Sequence, residues 1–171
     1  MQSNQAIRLI GEQMEQSNCF GCSPRNAAGL SLSMYKISDG LTTTFTLPTR
    51  YESYPGIIHG GIVSTVLDEV MGNVIAVHDE RLCFTTTLRV KFLEPLHPDV
   101  PYRCVARLVH RPGSDRELYK VTGEIHPADR DEALAMASAS YRWITDDQVD
   151  MEMAIVPGEI EKYGSYIKES R

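Results

Sequence analysis

Hydrophobic and polar positions change their period twice along this chain. Leu30-Ser31-Leu32-Ser33-Met34-Tyr35 alternates, which predicts a strand. Asp39-Gly40 then reads as a hairpin turn, with the Thr-rich Leu41–Leu47 as its return strand. A loop over Pro48–Gly56 ends in a turn at Tyr54-Pro55-Gly56. Beyond it Ile58, Ile62, Val63, Val66, Leu67, Val70, Val74, Ile75 and Val77 wrap most of the circumference of a helix over about residues 58–78. Such wrapping predicts a helix buried in a core rather than laid on a surface. Period two then returns. Phe84, Thr86, Leu88, Val90 and Phe92 share one face of a strand, with Thr85, Thr87, Arg89 and Lys91 opposite; Tyr102–His110 and Glu117–His126 follow. Ala133–Ser140 is a conflict, because propensity alone favours helix. Period two continues from it through Tyr141-Arg142-Trp143-Ile144, and its small side chains would let a helix pack closely, so a strand is expected. Two strands, one long helix and four strands make an α+β fold, an antiparallel sheet with a helix against one face.

The central helix carries a contradiction. Asp68 and Glu69 bring two adjacent carboxylates into an apolar cylinder, where a charge is costly unless paired, hydrogen-bonded or functional. At the helix start, His59-Gly60-Gly61 offers N–H groups that have no intrahelical acceptor, sit at the positive end of the dipole and are unshielded by side chains. They suit an oxyanion hole. Asp68 lies eight residues after Gly60, about 12 Å along the axis at about 1.5 Å per residue. One chain therefore cannot easily aim both at one carbonyl. Two antiparallel copies, side by side, could match Gly60 of one with Asp68 of the other. Glu69 points about 100° further round the helix and is expected to be structural, with a catalytic carboxylate as the alternative.

His59-Gly60-Gly61 followed by Asp68-Glu69 resembles the signature of hotdog-fold acyl-CoA thioesterases, in the phenylacetyl-CoA-thioesterase-like branch. Cys19-Phe20-Gly21-Cys22-Ser23-Pro24-Arg25-Asn26-Ala27-Ala28-Gly29-Leu30 resembles the segment leading into the first strand of many members, and Thr85–Leu96 their strand after the helix. The resemblance implies a sheet wrapped around the central helix, and a strand over 133–140. It implies that Gly60 polarises a thioester carbonyl while Asp68 of a partner subunit acts as general base or nucleophile. It places Glu52 and Ser53 where some relatives carry Asn or Gln, and a hydroxyl, Thr85 or Thr86, near the carboxylate. His59 could orient the loop or touch the thioester, Gly61 adds a second N–H, Ser64 lies one turn before Asp68, and Arg89 is a candidate for coenzyme A phosphates. The implied reaction is hydrolysis of an acyl thioester of coenzyme A or acyl carrier protein, without metal or cofactor, in a homodimer or homotetramer. A hotdog dehydratase and a non-catalytic acyl-CoA-binding module are the alternatives.

Composition narrows the class without choosing the chemistry. The 171 residues, 42% apolar and 23% charged, suit one domain spanning 1–171, with an N-terminal helical extension over about 1–18 and a C-terminal one over about 146–171. Ile7, Ile10 and Met14 give residues 4–16 an amphipathic helical pattern; 146–157 read as irregular and 158–168 as a peripheral helix. A net charge of −6 disfavours nucleic acid as a partner. With no uncharged apolar run of spanning length and no basic-then-apolar N-terminus, a cytoplasmic protein without membrane or secretory segments is expected. Cys19-x-x-Cys22 has zinc or redox spacing, but no second such pair follows, so a structural turn with reduced thiols is expected. Cys83 and Cys104 read as small core residues.

Overall fold

The computed structural model describes residues 18–79, 81–114 and 117–143. The expected helices over 4–16 and 158–168, the irregular segment 146–157 and both terminal extensions lie outside the described residues. Within them, β1 (Met34–Ile37) and β2 (Gly40–Thr46) precede the short hairpin β3 (Glu52–Tyr54) and β4 (Ile57–Ile58). Next come α1 (Gly60–Asp79), β5 (Cys83–Phe92), β6 (Pro101–His110), β7 (Tyr119–Pro127) and β8 (Ala135–Trp143). Six strands form one antiparallel sheet in the order β1-β2-β6-β7-β8-β5, and α1 packs against its face. This is the hotdog architecture, α+β as expected.

The core sits between α1 and the sheet. Val63, Val66, Leu67, Val70, Met71, Val74, Ile75 and Val77 of α1 are buried, each such side chain contributing about 1.5–3 kcal/mol when removed from water. By length and composition α1 could cross a membrane, but here the sheet covers its apolar surface. Two features of the sheet allow the close approach. Ala135, Ala137 and Ala139 of β8 face the core, so the Ala-rich run is a strand because its small side chains fit under a helix. Gly123 of β7 lies where a Cβ would meet Met71 and Leu67 at 3.0–3.2 Å.

Four local readings shift. Leu30–Ser33 is not strand: the amides of Leu30 and Leu32 donate to the carbonyls of Phe20 and Gly21, which turns this stretch toward the Cys19–Cys22 loop instead of the sheet. The β1–β2 turn is Ser38-Asp39, because Ile37 pairs with Gly40. Gly40 belongs to β2, where the Ala106 carbonyl of β6 leaves no room for a Cβ. Pro48–Gly56 is partly regular, a 3-10 turn at Thr49–Tyr51 leading into the β3–β4 hairpin. That hairpin turns on Pro55 and Gly56 (φ 78°), the pairing of Pro with a positive-φ Gly that a type II turn needs. Finally, a bulge between Thr85 and Thr87 breaks the phase of β5. Thr85 and, beyond the bulge, Leu88 and Val90 turn toward α1, while Phe84 is 40% exposed. An extra residue flips a period-two strand to its other face.

Candidate active site

At the N-terminal end of α1 an apolar cavity of about 400 Å³ opens among Ser53, Tyr54, Gly60, Val63, Phe92 and Leu96. The β3–β4 hairpin supplies one wall and the end of β5 another. Gly60 begins the helix, so its N–H has no intrahelical acceptor, and it has no other acceptor among the described residues. The Gly61 N–H differs: it donates to His59 Nδ1 at 2.9 Å. His59 therefore caps the helix with its ring, which places the proton of the neutral imidazole on Nε2, while its backbone N–H is tied to the Tyr51 carbonyl. Of the two N–H groups that the sequence offers, only that of Gly60 is open among the described residues.

Asp68 lies two turns further along. Its Oδ1 accepts from Thr85 Oγ1 at 2.9 Å and from the Tyr141 hydroxyl at 3.1 Å. Thr85 and Tyr141 are opposite one another on β5 and β8, so one cross-strand pair delivers both donors. The bulge is what gives Thr85 this direction. Tyr141 is 1% exposed, and burial, then the adjacent Asp68 charge, pushes its phenol far above its ordinary range. Asp68 Oδ2 has no partner among the described residues.

The remaining candidates are spread out. Glu52 accepts from the Gly56 N–H at 2.9 Å and so closes the hairpin turn. Ser53 lines the cavity. Ser64 does not reach Asp68; its hydroxyl back-bonds to the Gly60 carbonyl at 2.9 Å. Thr86 donates to the Ser140 carbonyl, and Arg89 is exposed on β5, away from the cavity lining. Gly60 and Ser53 thus meet at the cavity, Asp68 and Thr85 meet at mid-helix, and one chain does not bring the two groups together.

Glu69, next to Asp68, has other neighbours. Cys19 Sγ lies 3.5 and 3.6 Å from its two oxygens, and Asn73 Nδ2 donates to Oε1 at 3.1 Å. Burial raises Glu69 to about 7. Donation from Cys22 lowers Cys19 to about 5, and that same bond, then burial, pushes Cys22 far upward. Sequence reading missed Tyr141 and this cluster. The available signals were a phenol in a buried strand, which needs a partner, and a carboxylate on an apolar helix.

A family model of the thioesterase superfamily matches residues 55–139, about half of the chain, from the β3–β4 turn through most of β8. The chain belongs to the thioesterase superfamily. Solved structures of similar shape share the fold. One thioesterase superfamily protein superposes with a TM-score of 0.65 at 22% identity over 73% of this chain and 60% of its own length. This chain therefore spans less than two thirds of that relative. A phenylacetic acid degradation-related protein from Ralstonia eutropha gives 0.58 at 22% identity, over 67% and 86% of the two chains. A Bacillus halodurans protein solved with CoA gives 0.58 at 22%, over 68% and 76%. No curated protein matches the sequence.

Proposed function

We propose that this superfamily member hydrolyses an acyl thioester, carried on coenzyme A or acyl carrier protein, to a carboxylic acid and a free thiol. The observation that carries the proposal is the open N–H of Gly60 at a helix N-terminus, on the wall of an apolar cavity. An acyl chain would occupy the cavity with its carbonyl oxygen on Gly60. The N–H and the helix dipole would then stabilise the charge that develops on that oxygen. Asp68 of a second copy would take a proton from water through Oδ2, with Oδ1 held by Thr85 and Tyr141. Water oxygen bonds to the carbonyl carbon, the carbon–sulfur bond breaks, and the proton passes from Asp68 to the leaving thiolate. Direct attack by Asp68, through an anhydride that water opens, gives the same products.

Two features support a shared site between copies. The separation of roughly 12 Å between Gly60 and Asp68 along one helix is too long for a single carbonyl. Moreover β5 has a neighbour on one side only among the described residues, and its ends expose Phe84 and Phe92. A second copy pairing along this edge would cover both rings and bring a second α1 alongside, with Arg89 at its rim. Relatives solved with CoA, from Bacillus halodurans and Streptococcus pneumoniae, support a carrier of that kind. The test is thiol release from short, long and aromatic acyl-CoA substrates and from an acyl carrier protein thioester. Turnover of one class is the expected result. Binding without release would leave a binding module in place of an enzyme.

A further inference from the structure

The Cys19–Cys22 loop does not line the cavity, yet it closes around one carboxylate. Backbone bonds from Leu30 to Phe20, from Leu32 to Gly21 and from Ser23 to Cys19 hold the loop. It presents both sulfurs to Glu69, so that Cys19 Sγ, Cys22 Sγ and a Glu69 oxygen all lie within 4.8 Å of one another. Gly21 lets the loop close, because a Cβ there would overlap the Glu69 side chain. From the other side Asn73, one turn on, fixes the carboxylate by donating to Oε1. Cys22 is 5% exposed and Cys19 is half-buried, so the group is open on one side. Among the described residues no basic side chain pairs with Glu69. A hydrophobic residue at 69 would fill the same space without carrying a carboxylate between two thiols.

We infer that Cys19, Cys22 and Glu69 form a metal site for a thiophilic divalent cation, Zn2+ foremost, with the fourth position open to water on the Cys19 side. Thiolate donors select zinc-class ions over Mg2+ and Ca2+, which want oxygen ligands. The spacing fits as well. Zn–S bonds of about 2.3 Å and Zn–O bonds of about 2.0–2.2 Å at a tetrahedral angle put sulfur and oxygen about 3.6 Å apart, and Cys19 stands 3.5 Å from Glu69 Oε1. Asn73 is the outer partner that orients the carboxylate ligand. The bound ion clamps the loop onto α1 one residue beyond Asp68.

The test is Co2+ titration of the full chain after reduction and chelator treatment. One equivalent per chain should bring up thiolate-to-cobalt charge-transfer and tetrahedral ligand-field bands, and Zn2+ should displace it and raise Tm. Cys19→Ser and Cys22→Ser should each abolish or strongly weaken the charge-transfer band, Glu69→Gln should weaken binding at least ~10-fold, the scale on which ligand support matters, and Cys83→Ala should keep the spectrum. If the cysteine variants fail to fold, protection of Cys19 and Cys22 from alkylation by Zn2+ in the wild type serves in their place. No band in folded wild type, a band that survives both cysteine variants, absence of Zn2+ protection, or a Cys19–Cys22 disulfide in protein that takes up no cation would overturn the assignment. None of these readouts depends on thioester turnover.

Discussion

Asp68 and Glu69 are neighbours in the chain and strangers in the fold. Asp68 meets two hydroxyls from an edge of the sheet and, among the described residues, keeps one oxygen without a partner. Glu69, about 100° round the helix, is held between two thiols and an amide, and burial lifts it to about 7. Both are carboxylates on the same buried helix, so residue type does not separate their roles; the elements packed against each face do. β5 and β8 hold Asp68 by one oxygen, an arrangement that suits the proton exchange with water proposed above, whereas the 19–22 loop encloses Glu69.

The sharpest way to break this contrast is to neutralise each acid in turn. Asp68→Asn should lower kcat at least ~100-fold, the scale of a lost general base, with substrate binding retained. Glu69→Gln should cost stability and far less turnover, read as Tm beside kcat in the same preparations. If the two variants lose activity alike, the division of roles fails. A somewhat smaller loss is expected at the other end of the helix. Proline is tolerated at the first helical position and has no N–H, so Gly60→Pro removes the proposed oxyanion donor with little disturbance of α1. Steady-state kinetics should show a ~100-fold fall in kcat, the scale of one such donor. Unchanged kcat in a helical, folded variant would remove Gly60 from the mechanism.

Smaller effects test how Asp68 is held. Thr85→Val and Tyr141→Phe each delete one donor to Oδ1. Each should lower kcat less than Asp68→Asn, and the double variant should lose more than either. Tyr141 also makes a pH prediction. Its phenol is raised in the folded state above its ordinary value of 10.0, so the folded chain holds a proton that the unfolded chain gives up. Its effect on stability is absent below about pH 10 and unfavourable as pH rises beyond it. Urea unfolding across that range should show a steeper loss in wild type than in Tyr141→Phe, and equal slopes would contradict the burial argument.

Much of the fold was legible because one pattern dominates. The wrap of Val and Ile over α1 and period two in the later strands leave little choice, and the Ala-rich β8 follows once a helix must lie against it. What stayed hidden depends on single residues of register. The β5 bulge turns Thr85 toward Asp68, yet nothing in Phe84–Phe92 announces an inserted residue. Leu30–Ser33 alternates like a strand and is recruited instead by the carbonyls of Phe20 and Gly21. At the candidate site, Gly60 and Asp68 were singled out by chemistry and spacing, and their roles stand as the proposal above. Tyr141, Asn73 and the meeting of Cys19 with Glu69 arise from contacts across 73, 4 and 50 positions, of which only the helical step has a local rule.

The central claim, that each site joins Gly60 of one copy to Asp68 of another, is tested most directly by mixing two inactive chains. Gly60→Pro and Asp68→Asn proteins are unfolded together in equal amounts, refolded, and assayed for thiol release beside each variant alone. In a two-fold dimer, half of the mixed molecules pair unlike chains and each carries one intact site, so about a quarter of wild-type activity should return. Activity no higher than that of the separate variants, in a mixture shown by mass spectrometry to contain the unlike dimer, would contradict a site shared between subunits.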